Sequence, residues 1–441
     1  MPEGPAPAPV PAAAVSLPVL TDFPDRIPPV LVKELRQGLR GRMFVVPFLV
    51  LQFLLIITVG GGNTLSFWHF ILIMLIFLLP SRNLGALGDE RDANTLDTLL
   101  LTRLTPWRIV WGKWCSAAAQ SLLVAVAIVP YLLVRYLNDG SGFLDEGVLL
   151  VLLLLLSGAV AGAFTALSVV KSPLARNGMA AAVLLSVYGW ICRPLVFKVA
   201  QGQSGIPLTY AGMITVFSVW AALFFLWHAA ANISPAATNN TTPRRITSLA
   251  AVLIYSGFFV ASSFHTGFAQ SCLLIMLGAV SVVEMGEPLS SHPGIAAAFD
   301  RRGWIGRAAA FLLRPGWDSG VVFCAVLWGL AAILTDMKDD PALLATAALC
   351  FFPVTGRLIF PPRLRGGTVP FLLLILASNI LKTILLAIDR DSDSFIERFP
   401  GFYNSSRGNV PSYMNLALIW ISLALAMAAF SLMFRHPRVK R

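Results

Sequence analysis

The feature that most constrains this chain is the recurrence of apolar stretches about as long as a lipid bilayer is thick. A hydrocarbon core of about 30 Å takes roughly 20 apolar residues in a helix, with shorter runs accommodated by thinning or snorkelling. That rule predicts about twelve spans, at 43–59, 65–80, 109–136, 148–170, 174–199, 210–231, 249–264, 268–283, 320–334, 343–360, 369–388 and 414–434. The short pairs within 43–80 and 249–283, and the span at 320, could each be re-entrant instead. The chain is 57% hydrophobic and 12% charged, with a mean hydropathy of +0.75, whereas a soluble domain carries about 25% charged residues. The expected class is an all-α polytopic membrane protein.

Net charge of +11 would suggest nucleic acid in a soluble protein. Here the basic residues fall between apolar runs, where retention on the cytoplasmic side accounts for them, and nucleic acid is excluded as a partner. With the N-terminus inside, 25 of the 33 Lys and Arg lie in cytoplasmic loops and only six outside, among them Arg135 and Lys198. Both termini are therefore expected in the cytoplasm, in a multi-pass protein of the cell (inner) membrane. An even number of spans is favoured, since one more or fewer would invert every later loop and degrade that tally.

The spans fall into two sets of six. Residues 1–26 are expected to form a disordered Pro/Ala-rich tail, 27–42 an amphipathic interfacial helix, and 43–231 the first transmembrane half. Residues 232–248 read as a cytoplasmic linker, 249–434 as the second half, and 435–441 as a basic tail. In each half the long cytoplasmic excursion follows the second span, at 82–113 and at 284–319, and Arg314-Pro-Gly-Trp317 faintly echoes Arg103-Leu-Thr-Pro-Trp107. The largest external segment, 389–411, holds an acidic cluster without the ligand order of an EF-hand and reads as a solvated loop.

The stretch from Arg82 to Lys113 carries both charge and pattern. Asp89, Glu90, Arg91 and Asp92 come first, then Asn94 and Thr95 as candidate N-caps, then Leu96, Leu99, Leu100 and Leu104 on one helical face. Pro106 disfavours continuing that helix, and Trp107, Arg108 and Lys113 mark re-entry into a membrane interface. An amphipathic helix so placed either docks a partner or lies on lipid headgroups. Upstream, Leu31, Leu35 and Leu39 share one face while Lys33, Arg36 and Arg40 share another, so this helix should lie on the inner leaflet, with Glu34 facing headgroups.

These residues resemble the permease subunits of type-2 ATP-binding-cassette (ABC) exporters. In that family an acidic-basic pair leads into Thr-Leu and a leucine run, then Pro-aromatic, then Gly-Lys opening the next span. The matching positions are Glu90-Arg91, Thr95-Leu96, Leu99-Leu100-Leu101, Pro106-Trp107 and Gly112-Lys113, with Ala93-Asn94 standing where a glycine commonly precedes the threonine. The resemblance covers Pro29 to Lys113. It implies a separate cytoplasmic nucleotide-binding subunit that holds the ATP and Mg, with Glu90, Arg91, Asp92, Thr95, Leu96, Leu99, Leu100, Pro106 and Trp107 receiving its motion. It would also let Glu34 or Arg36 bond to that coupling region, and a second permease chain could pair with this one.

Gly-x-x-x-x-Gly-Lys-Ser/Thr is absent, so the chain is not its own ATPase and is expected to hold no cofactor. Neither His-Glu-x-x-His nor Gly-x-Ser-x-Gly occurs, which argues against an intramembrane enzyme, and the five cysteines show no metal or disulfide spacing. Within the expected spans the charges are Arg193 and Lys382, both read as snorkelling to the outer interface; Lys382 also shares a polar stripe with Asn379 and could instead line a transport path. Shortage of buried charge favours hydrophobic, lipid-like or large cargo over small ions. A non-transporting membrane anchor and a stand-alone secondary transporter remain as alternatives.

Overall fold

A computed structural model describes residues 29–93, 105–140, 142–170, 172–200, 206–235, 238–261, 267–287 and 311–335, with Gly306, Ala347 and Cys350. All the elements here are helical. Among the described residues, eight helices are long and apolar enough to cross a membrane, which makes the chain a polytopic, membrane-embedded α-helical protein. The expected spans 343–360, 369–388 and 414–434 lie outside the described residues, apart from Ala347 and Cys350. So do the tail 1–26, the loop 389–411 and the C-terminal 435–441.

The interfacial helix α1 (Pro29–Arg40) breaks at Gly41 and gives way to α2 (Arg42–Gly60). Gly62, at φ 66°, turns the chain, and the Asn63 side chain accepts a hydrogen bond from the Ser66 N–H at 3.0 Å to start α3 (Thr64–Leu72). A π turn, Ile73–Leu78, joins α3 to the short α4 (Leu79–Ser81), and a 3₁₀ turn, Arg82–Gly85, leads to α5 (Gly88–Asp92). Next come α6 (Pro106–Asp139) and α7 (Phe143–Leu167), joined at Gly140, which caps α6 at φ 64°. The expected fifth span, 174–199, is composite: α8 (Pro173–Val187), a second π turn (Tyr188–Cys192) and α9 (Arg193–Ala200). Finally come α10 (Leu208–Ile233), α11 (Thr241–Ala261), α12 (Gly267–Gly286) and α13 (Trp317–Leu334).

Both π turns end two residues before a proline, Pro80 and Pro194. Proline supplies no N–H and its ring presses on the carbonyl four residues back, so a turn one residue wider relieves the collision. Bonds of the wider kind are made: the Leu79 N–H donates to Met74 O, and the Arg193 N–H to Tyr188 O. Pro47 and Pro130 lie within regular α-helix, so proline alone does not dictate a π turn.

Helices α7 and α10 are the most buried of the long spans among those in the first set and pack on each other. A run of small residues on α7 permits this. At Gly162 a Cβ would stand 3.2 Å from the backbone of Ala222, so glycine sets the spacing there. In contrast, α2 turns Met43, Val46, Leu49, Phe53, Ile56 and Ile57 outward, an apolar surface that suits lipid.

Three features differ from the sequence expectation. Helix α11 begins at Thr241 rather than 249, taking Arg244 and Arg245 out of the expected linker and into a helix. Their charges are matched inside the protein, which removes the reason to leave them in water. Helix α6 starts at Pro106 and runs 34 residues, about 51 Å at 1.5 Å per residue, and so overhangs the hydrocarbon layer. Charges within the spans are also more numerous than Arg193 and Lys382: Arg135, Glu146, Arg244, Arg245 and Glu284 are all buried. Arg193 itself is exposed, at the start of α9.

Candidate coupling site

Of the expected coupling region, residues 82–93 and 105–113 are described, and the first of these stretches is pinned to the end of α7. Asn83 donates from Nδ2 to Thr165 Oγ1 at 3.2 Å, and the Leu87 N–H donates to Ser168 Oγ at 3.3 Å. The Arg91 guanidinium donates to the Val169 carbonyl at 2.7 Å, which satisfies a group left open where α7 ends. Gly88 presses on the same turn, since a Cβ there would stand 2.8 Å from Ser168 O.

Lys113, about two turns from the Trp107 end of α6, is the hub. Its Nζ lies 2.8 Å from Glu90 Oε1 and 3.2 Å from Glu34 Oε1, and its side chain is only 5% exposed. One ammonium thus ties the interfacial helix α1, the short α5 and the base of α6. Arg82 adds a second cation, donating to Gln120 Oε1 and to the Gly38 carbonyl, so α1 is bound to α6 at two levels. Two carboxylates and two cations leave the group electrically neutral. Glu34 therefore does not face headgroups, as the amphipathic pattern alone suggested; it turns inward because a buried ammonium needs more than one acceptor.

Trp107 and Pro106 belong to the same construction. Thr105 accepts from the Arg108 N–H at 3.4 Å as N-cap, and Pro106 takes the first helical position, where its missing N–H costs nothing. Trp107 then stacks on Trp227 of α10, with centroids 3.9 Å apart and 18° between planes. Trp111 and Trp114 continue the aromatic row, and Trp114 Nε1 donates to Gly158 O at 2.8 Å. Beneath them Leu87, Ile109, Val110, Leu226 and Ala230 form a separate small core.

Asp92 is largely exposed, 3.5 Å from Arg91, and Lys33, Arg36 and Arg40 lie on the exposed side of α1. Thr95, Leu96, Leu99 and Leu100 lie outside the described residues, as do Asn379 and Lys382.

A second ionic cluster escaped the sequence reading. Glu284, on α12, receives Arg244 Nε at 2.5 Å on one oxygen and Arg245 Nε at 2.6 Å on the other. Glu287 spans both guanidinium ends at 3.3 and 3.8 Å and accepts from Thr241 Oγ1 at 2.6 Å. Arg245 also donates to Leu312 O and Ser319 Oγ, and Arg244 Nη1 lies 3.4 Å from His228 Nδ1. The cluster joins α10, α11, α12 and α13 at one end of the bundle. A third group lies on α3, α6 and α7: Arg135 donates to both oxygens of Glu146 and, at 2.9 Å, to Thr64 Oγ1, with its guanidinium over Phe67. Eleven residues separate Arg135 from Glu146 across the hairpin at Gly140, a spacing that places them opposite each other and was the available signal.

Compared with family models, curated proteins and solved structures, the chain matches none of them.

Proposed function

We propose that the chain is the membrane permease of a type-2 ABC exporter, moving its cargo with ATP hydrolysed by a separate cytoplasmic subunit. The observation that supports this reading is the Glu34–Lys113–Glu90 group, which binds three elements into one frame at the point where 94–104 leaves and returns. In this reading the ATPase docks on the leucine face of 94–104. Its push reaches α6 through Lys113, α7 through Arg91, and α10 through the stack of Trp107 on Trp227. Among the described residues, the other buried charges are paired with one another and offer no ligands for an ion path, which supports hydrophobic or large cargo.

The test is co-purification of the tagged chain in mild detergent with assay of the recovered ATP hydrolysis. Leu99→Asp should lose the ATPase, because it puts a charge on the docking face. Glu90→Ala should retain it but alter its rate, because Glu90 acts inside the frame rather than at the contact. Absence of any ATPase with the wild-type chain would overturn the proposal.

A further inference from the structure

The two π turns touch. Phe77 of the first and Tyr188 of the second meet edge to face, with centroids 6.0 Å apart. On the side of these turns that carries Arg135, α3 packs against α9. Two spans thus change helical register at the same depth, and beyond that depth their end segments lie together. Widened turns make weaker ladders and are where helices bend.

Among the described residues, one polar side-chain contact ties the Thr64 end of this pair to α6, beside the apolar packing of α3 on α2. Arg135, 1% exposed and fixed by Glu146, reaches Thr64 Oγ1 at 2.9 Å at the first residue of α3. We propose that α3 and α9 form one movable unit, hinged to the rest of their spans by the paired π turns and latched by Arg135 through Thr64. This device does not depend on an ATPase docking elsewhere. From Ile73 to Thr64 is about 13 Å of helix, so a 20° bend carries the tip about 5 Å.

The experiment is a spin-label distance measurement on the full chain in lipid nanodiscs, with Cys115→Ser and labels at the exposed Leu65 and Leu144. Thr64→Val, which removes the acceptor and keeps the shape, should shift the distribution by about 5 Å toward the open position. Deleting Ile73, an exposed residue of the first π turn, closes that turn to an α turn with both flanks in register. Deleting Gly189 does the same in the second. Either deletion in the Thr64→Val background should leave a folded protein with a single narrow distance. Deletion of the equally exposed Val151, in a helix with no π turn, should abolish folding. The proposal is overturned if Thr64→Val leaves one unshifted distance, if the deletions leave the shifted distribution in place, or if they fail to fold as the Val151 deletion does.

Discussion

Replacing Glu284 with glutamine keeps the side chain's shape and removes its charge. Arginine does not give up its proton in a protein, so Arg244 and Arg245 would stay charged, each at most 1% exposed, with Glu287 and its longer contacts the one remaining carboxylate on them among the described residues. Stripping one partner from a buried ion pair costs about 3–5 kcal/mol. Unfolding entropy near 2.1 cal/mol/K per residue, over 441 residues, converts this to about 1 °C per kcal/mol. The thermal midpoint, followed by loss of the monodisperse peak in size-exclusion chromatography, should therefore fall by about 3–5 °C. Arg245→Met combined with Glu284→Gln removes one charge of each sign and leaves Arg244 with Glu287, so the double variant should recover part of that loss. A single variant within 1 °C of wild type, or a double variant less stable than the single, would refute the argument that charge balance holds these four helices together.

Three other outcomes follow from the same geometry. Lys113→Met takes away the ammonium between Glu34 and Glu90, leaving two carboxylates to the single cation Arg82, and should lower the thermal midpoint more than Glu90→Gln, which leaves Lys113 with Glu34. Gly320→Ala places a methyl group against the Glu284 carbonyl, backbone against backbone, and should destabilise by more than about 2 kcal/mol, whereas Gly329→Ala, with open space around it, should be near neutral, as thermal scans of the two would show. Trp107→Phe should abolish the coupled indole signal in near-ultraviolet circular dichroism and leave the far-ultraviolet helix signal unchanged, because the stack on Trp227 orients rings and builds no backbone.

Much of the helical layout was legible because bilayer-length apolar runs leave few choices, but they put the start of α6 at 109, because Pro106 reads as the end of the preceding helix, not as the first position of the next. The partners of Lys113 were not, since Glu34 lies 79 residues away and helical periodicity reports only on near neighbours. Arg244 and Arg245 read as a loop because their balancing charge, Glu284, comes 40 and 39 residues later, and a lone pair of arginines beside Pro243 looks like the end of a linker. Pro80 closes an expected span, while Pro194 lies inside another, 174–199, without interrupting its apolar run. That both would widen the helix at matching depth depends on the packing of two distant spans, which no local pattern carries.

The ionic groups share a property with an electrical consequence. Arg135 with Glu146, Arg244 and Arg245 with Glu284 and Glu287, and Lys113 and Arg82 with Glu34 and Glu90 each contain as many positive as negative charges. Carrying one unmatched charge across the membrane potential changes the energy by about 2.3 kcal/mol per 100 mV. Groups that travel with their counter-charges carry none of that work, so a rearrangement that moves each group intact would proceed at the same rate in an energised membrane and in a depolarised one.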